Sequence, residues 1–215
     1  MKESKLWLES VVFSFFILVL FLVYTISFYQ KHDLYIWNKI FANTSVILIS
    51  LSMGIRSFAY YIKGLNSFII YRKYLGLIGF YFILIHGVII FIMQNRYPFP
   101  VYFLQSETIV PFILALISTF IFVIVAVASH NYVRSKLNIL TWRKIMRLGH
   151  IALVFGLLHF AVKSSILWTD WFKAFFPLYP PPSLIAFFVG LITIAFRISL
   201  NFDKTIIDNE VIENE

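Results

Sequence analysis

The chain carries five histidines and no cysteine. Disulfides, thiolate metal sites and iron–sulfur clusters are thereby excluded, and histidine is left as the strongest ligand for a soft or borderline metal. Two of the five, His86 in "FILIHGVII" and His159 in "FGLLHFAV", are embedded in strongly apolar sequence. A neutral imidazole offers one nitrogen lone pair to a metal and one N–H to an acceptor. At membrane depth such a group is costly unless paired, so an intramembrane histidine marks a function until shown otherwise. The plain alternative is a hydrogen bond to a neighbouring helix, often worth under about 1 kcal/mol.

The elements that must position these histidines follow from composition. The 215 residues are 60% hydrophobic and 20% aromatic with only 13% charged, which is far too apolar for a soluble domain of this size. A helix needs about 20 apolar residues to cross a hydrocarbon core. Six runs qualify, near 8–29, 41–61, 74–94, 109–129, 148–168 and 183–200, and they predict an all-α, six-helix transmembrane bundle over residues 1–200. At about 1.5 Å per residue, His86 lies about 18 Å along its helix from Tyr74 and His159 about 16 Å from Leu148. The third and fifth helices run the same way, so the two histidines share a depth. Two neutral imidazoles facing each other, with neither cysteine nor carboxylate beside them, suit a low-spin haem iron better than zinc, which takes four ligands or keeps a water position. Gly79, about 20° from the face of His86, and Gly156, one turn before His159, are expected to leave room for a macrocycle; ordinary small-residue packing between helices is the other explanation for both.

The remaining histidines read differently. His150 is nine residues from His159, about 180° around the same helix, so the two cannot serve one cavity; it is expected near the inner interface, bonded to a loop or a headgroup, or assisting a quinol or a propionate. His32 falls in a short loop and His130 at the inner end of the fourth helix, where polar residues meet water.

Charge sets the orientation. Arg134, Lys136, Arg143, Lys144 and Arg147 crowd the stretch from 130 to 147, and Lys63, Arg72 and Lys73 precede the third helix. By the positive-inside rule both stretches face the cytoplasm, as do both termini of a six-span chain in the inner membrane. The net charge of +8 is then topological and does not imply nucleic acid. Arg56, Arg72 and Arg147, at inner helix ends, are candidates to neutralise haem propionates or bind an anionic headgroup, although topology alone would also put arginines there. The first apolar run is too long for a signal peptide and lacks a small-residue cleavage site, so it is read as an anchor. "QNRYPFPVYFLQSE" and "FPLYPPPS" read as loops or first turns, and residues 201–215 as a flexible acidic cytoplasmic tail. No GxGxxG follows a strand and there is no P-loop, so no Rossmann-type nucleotide or flavin site is expected.

"YRKYLGLIGFYFILIH" and "WRKIMRLGHIALVFGLLH" resemble two segments of the haem-binding membrane subunit of the periplasmic methionine-sulfoxide reductase system. That family belongs to the ferric-reductase-like transmembrane superfamily, which includes NADPH oxidases and six-transmembrane metalloreductases. The likeness extends through "SHNYVRSKLN" before Trp142 and covers helices two to six. It implies a haem b cytochrome taking electrons from the quinol pool or a flavoprotein, with a quinone or FMN as a further group on the donor side. Electrons would pass outward to an extracytoplasmic molybdenum-cofactor reductase subunit, and the chain would have no substrate site of its own. By position, His86 and His159 match the family's haem ligands. Met146 stands where the family has a histidine, which leaves a second inner redox site without its expected ligand. Two other readings of the chain stand beside this one: direct ferric or metal-ion reduction at the outer surface, and a haem-free transporter or scaffold using the histidines as proton relay or helix glue.

Overall fold

The computed structural model describes residues 3–93, 105–174 and 179–213, with side chains throughout except at residue 106 and residues 202–213. Seven α-helices and one 3-10 helix account for nearly all of them: α1 (Glu3–Tyr29), α2 (Leu34–Tyr61), the 3-10 helix (Lys63–Tyr71), α3 (Arg72–Met93), α4 (Ser106–Ser129), α5 (Asn131–Lys136), α6 (Ile139–Lys173) and α7 (Pro182–Glu213). No strand occurs among the described residues. Six helices are long and apolar enough to cross a membrane, namely α1, α2, α3, α4, α6 and the first 20 residues of α7. The expected all-α, six-span architecture is therefore the observed one, and the chain is an integral membrane protein.

The helices overrun their expected ends for local reasons. The Asp33 side chain accepts a hydrogen bond from the Ile36 amide at 2.9 Å, so α2 begins at Leu34 rather than near 41. Asn138 does the same for the Leu140 amide at 2.9 Å, and α6 starts at Ile139 rather than near 148. The basic stretch at 130–147, expected as a loop, is thus α5 plus the first turns of α6, and the turn expected before α3 is the 3-10 helix. At the other end, α7 continues as helix past its apolar span, which closes at Asn201, to Glu213. The proline-bearing loop at 94–107 lies outside the described residues as far as 104. Pro182 opens α7, where a missing N–H costs nothing.

One helix organises the rest. Within its most apolar stretch α2 is 72% buried, against 17–33% for the other five spans, so it is the axis around which the others gather. It packs on α1, α3, α6 and α7, while α4 and α6 form a second, closely packed pair. The residues that α2 buries are largely small or polar: Ala42, Asn43, Thr44, Ser45, Ser50, Ser52, Gly54 and Ser57. Lipid is as apolar as leucine, so association between spans rests on close backbone approach and van der Waals contact, which small residues permit. The α2–α3 contact shows how close. A Cβ added to Gly76 would stand 2.8 Å from Ser52 Oγ, and one on Gly79 2.8 Å from Ile49 Cγ1 and 3.2 Å from the Ile49 backbone nitrogen. Gly79 therefore serves helix packing and does not open space for a cofactor. Cross-helix hydrogen bonds fix the register: Ser118 Oγ donates to the Ala152 carbonyl at 2.8 Å between α4 and α6, Trp142 Nε1 to the Ala128 carbonyl at 3.1 Å, and Thr193 Oγ1 to the Ser50 carbonyl at 3.2 Å between α7 and α2.

Candidate functional site: a paired-histidine cavity

α2, α3, α4 and α6 enclose a cavity whose walls include both His86 and His159. Ala42, Ser45, Val46 and Ile49 of α2 form one side, Ser118, Thr119 and Phe122 of α4 another, and Leu153, Gly156 and Phe160 flank His159 on α6. It has room for the centre of a water molecule over about 70 Å³, and about 500 Å³ of unfilled space once its open mouth is counted. The small residues create it, since any larger side chain at Ala42, Ser45, Ala115 or Gly156 would project into it. A Cβ on Gly156 would already lie 3.2 Å from Ser118 Oγ.

Each imidazole is held by its backbone-facing nitrogen. His86 Nδ1 donates to the Asn38 carbonyl of α2 at 3.2 Å, and His159 Nδ1 donates to the Pro111 carbonyl of α4 at 2.7 Å. A carbonyl only accepts, so in both rings the proton sits on Nδ1 and the lone pair on Nε2. Neither Nε2 has a hydrogen-bond partner among the described residues. An outer hydrogen bond that fixes ring orientation and tautomer is the usual support of a metal-ligating histidine. The bundle thus presents two neutral donors from two helices into one largely apolar cavity. Among the described residues no third histidine, cysteine or carboxylate joins them in a metal-binding cluster. Two nitrogens alone are too few for tetrahedral zinc, and would fit a metal whose remaining ligands come from a bound group.

The remaining sequence candidates go elsewhere. His150 does not line the cavity, as its opposite helical face requires. His32 lies in the exposed link before α2, and His130 lies between α4 and α5. Met146, the alternative inner ligand, has its sulfur 3.8 Å from the Ser129 hydroxyl, which donates to it. Arg56, Arg72 and Arg147 gather at one end of the bundle, away from the two cavity histidines. Along their helices Arg72 lies about 21 Å from His86 and Arg147 about 18 Å from His159. They interact instead through Arg197 of α7, which repels Arg72, Arg56 and Arg147.

Two cations that act on the cavity histidines were not singled out by sequence. Lys39 acts electrostatically on His86 and Lys163 on His159. Lys163 carried a readable signal, standing one helical turn beyond His159 on the same face. Lys39 carried none, because its place depends on α2 crossing α3; its ammonium sits over the rings of Tyr35 at 4.7 Å and Tyr29 at 5.2 Å.

Fold and cavity together define a six-span membrane protein with a paired-histidine site. A family described as the ferric reductase like transmembrane component matches residues 40–158, more than half of the chain. The chain belongs to this ferric-reductase-like transmembrane family. The match takes in α3 with His86 and ends one residue short of His159, so the second histidine is joined to the site by the cavity and not by the matched region. No curated protein matches the chain significantly.

Proposed function

We propose that the protein is a haem b electron-transfer subunit of the membrane, in which His86 and His159 would hold the haem. The supporting observation is the shared cavity, in which both rings have Nδ1 tied to a backbone carbonyl and Nε2 left free. Membership of the ferric-reductase-like family points the same way. When bound, haem would supply one-electron redox chemistry. The chain's own contribution is to hold two imidazoles at one depth in their Nε2-ligating tautomer, and to surround them with apolar side chains that exclude water. Lys39 and Lys163 supply the positive charge nearest the site, placed to offset carboxylates of a bound group.

Donor and acceptor belong to the same proposal. Electrons would enter from quinol or a flavoprotein at the arginine-bearing, cytoplasmic end. They would leave at the outer end to a reductase partner of the methionine-sulfoxide-reductase kind. In the same proposal the two ends of the six-span bundle's chain lie on one side, and the positive-inside rule favours the cytoplasm of a cell's inner membrane for it. Reporter fusions in the 131–136 segment and at the C-terminus should both read as cytoplasmic.

The decisive experiment is the spectrum of the full chain purified from haem-replete cells. Sharp low-spin bands on reduction, followed by oxidation on adding a partner reductase with its substrate, are the expected result. Haem bands with direct electron transfer to ferric chelates and none to the partner would favour a metal-ion reductase. A colourless preparation would leave the histidines as a proton relay or helix contact and overturn the haem reading.

A further inference from the structure

The opposite end of the bundle gathers positive charge that the described protein does not balance. Four helices bring arginines to this end. Arg72 of α3 is bonded to Ser52 of α2, one turn from Arg56. Phe196 of α7, beside Arg197, packs edge-on against Phe58 of α2 with ring centroids 5.0 Å apart. Gly149 of α6, near Arg147, packs against Met53 of α2. The four charges therefore lie within electrostatic reach of one another through Arg56 and Arg197. Two ion pairs occur among the described residues, Lys5 with Glu9 and Lys73 with Glu3, and neither includes one of these arginines. Arg72 is partly buried and held in place, its Nε donating to the Ser52 carbonyl at 2.9 Å while Ser52 Oγ donates to the Arg72 carbonyl at 2.6 Å. That clamp uses one of the five guanidinium N–H groups and leaves the other four available. Arg56 and Arg147 are exposed, so the cluster opens to the surface.

A second and independent observation lies on α6 between them. His150 is bonded to the Arg147 backbone, and its Nε2 is shielded from solvent without any hydrogen-bond partner. The N–H of the other ring nitrogen serves that bond, so Nε2 carries the lone pair, and the ring lies within electrostatic reach of Arg197 and Arg72. An orphaned nitrogen costs about 1–3 kcal/mol when nothing pairs with it, and four like charges held together repel one another. A neutral hydroxyl donor such as a quinol would pair with the His150 Nε2 lone pair and leave the repulsion standing. A phosphate-bearing anion that also carries a hydroxyl, a P–OH or a headgroup alcohol, removes both: its O–H donates to the Nε2 lone pair while its oxygens accept from guanidinium forks, whose geometry they match. The helix distances of about 18–21 Å from the histidine pair separate this place from the cavity.

We propose that Arg56, Arg72, Arg147 and Arg197, with His150 Nε2, form a binding site for a phosphate-bearing anion, either the headgroup of an anionic lipid or a free phosphoryl compound. The site is independent of the haem reading, and its test is read without redox chemistry. The full chain, carrying whatever cofactor it is purified with, is placed in nanodiscs of phosphatidylcholine with graded phosphatidylglycerol. Native mass spectrometry then counts the retained lipid. Inorganic phosphate is titrated separately onto the detergent-solubilised chain, with the His150 ring ¹⁵N resonances as the readout.

Retention of one phosphatidylglycerol, weakened about tenfold by Arg56→Gln or Arg197→Gln and less than about twofold by Lys136→Gln, is the expected result. Neither arginine makes a hydrogen bond among the described residues, so both variants should keep the fold, whereas Arg72→Gln would break the Ser52 clamp and is not used. Lys136→Gln removes a surface charge from the same end of the bundle outside the cluster. A shift of the His150 resonance with inorganic phosphate alone assigns the source to a soluble phosphoryl group as well. Lipid binding without that shift restricts the source to a headgroup. Equal retention in the wild type and both arginine variants, or an equal loss in Lys136→Gln, combined with an unmoved His150 resonance, would overturn the proposal.

Discussion

The two ends of this bundle solve the burial of nitrogen groups in opposite ways. At the cavity, α3 and α6 each contribute a neutral imidazole whose N–H is satisfied by a backbone carbonyl on a neighbouring helix. At the other end the same two helices contribute Arg72 and Arg147, which meet Arg56 and Arg197 without a counter-charge among the described residues. The two neutral imidazoles at membrane depth are stabilised from within the fold, each by a carbonyl on an adjacent helix. Permanent charges gathered at an interface are not, and they need a partner from outside. One region therefore has its donors pointed and pre-set, and the other has its donors waiting.

The largest effect should come from removing a cavity histidine. His86→Ala or His159→Ala should abolish stable haem binding, while His150→Ala should retain it nearly in full, as read by haem content per protein in the three purified variants. Complete loss in His150→Ala would erase the distinction between the two regions.

A second contrast separates glycines that pack helices from the one that shapes the cavity. Gly79→Ala forces a Cβ to 2.8 Å from Ile49 Cγ1 and should cost about 1–3 kcal/mol in an unfolding assay, with haem per folded protein unchanged. Gly156→Ala meets only the Ser118 hydroxyl at 3.2 Å and should cost less than about 1 kcal/mol, yet weaken haem retention. The reverse pattern would exchange the two roles.

Smaller again is the effect of nearby charge. Lys163→Gln removes a cation beside His159 and should stabilise the oxidised iron, lowering the midpoint potential by an amount on the order of 1 kcal/mol, measured by redox titration. Arg147→Gln, at the far end, should move it much less. The smallest effect is expected at Met146: its leucine variant should leave the spectrum almost unchanged and haem near one per chain by pyridine haemochrome. A ratio near two would mean that the arginine end also holds iron.

What the sequence made legible was whatever depends on one helix at a time. Span count, the shared depth of His86 and His159, and the exclusion of His150 from their cavity all follow from rise and rotation per residue. Helix ends were misjudged because apolar runs mark the hydrocarbon and not the helix; the caps at Asp33 and Asn138 lay in plain view but outside those runs. Features built between helices stayed hidden. Gly79 faces Ile49 and not the cavity because of the angle at which α3 crosses α2. Arg197 joins Arg56, Arg72 and Arg147 only because α7 packs along α2. Lys39 reaches His86 for the same kind of reason.

The polar character of α2 also bears on how the chain enters the bilayer during synthesis. It is the least apolar of the six spans, and Asn38, Asn43, Thr44, Ser45, Ser50, Ser52 and Ser57 are buried only once its neighbours surround it. A segment of that kind partitions weakly when it leaves the insertion machinery alone, whereas the strongly apolar spans α1 and α3 on either side partition readily. The short links, Gln30–Asp33 before α2 and a single residue between α2 and the 3-10 helix, keep these three spans together as they emerge. The axis of the finished bundle is thus the segment most dependent on company at birth, and the cavity wall it supplies is completed only when α4 and α6 arrive.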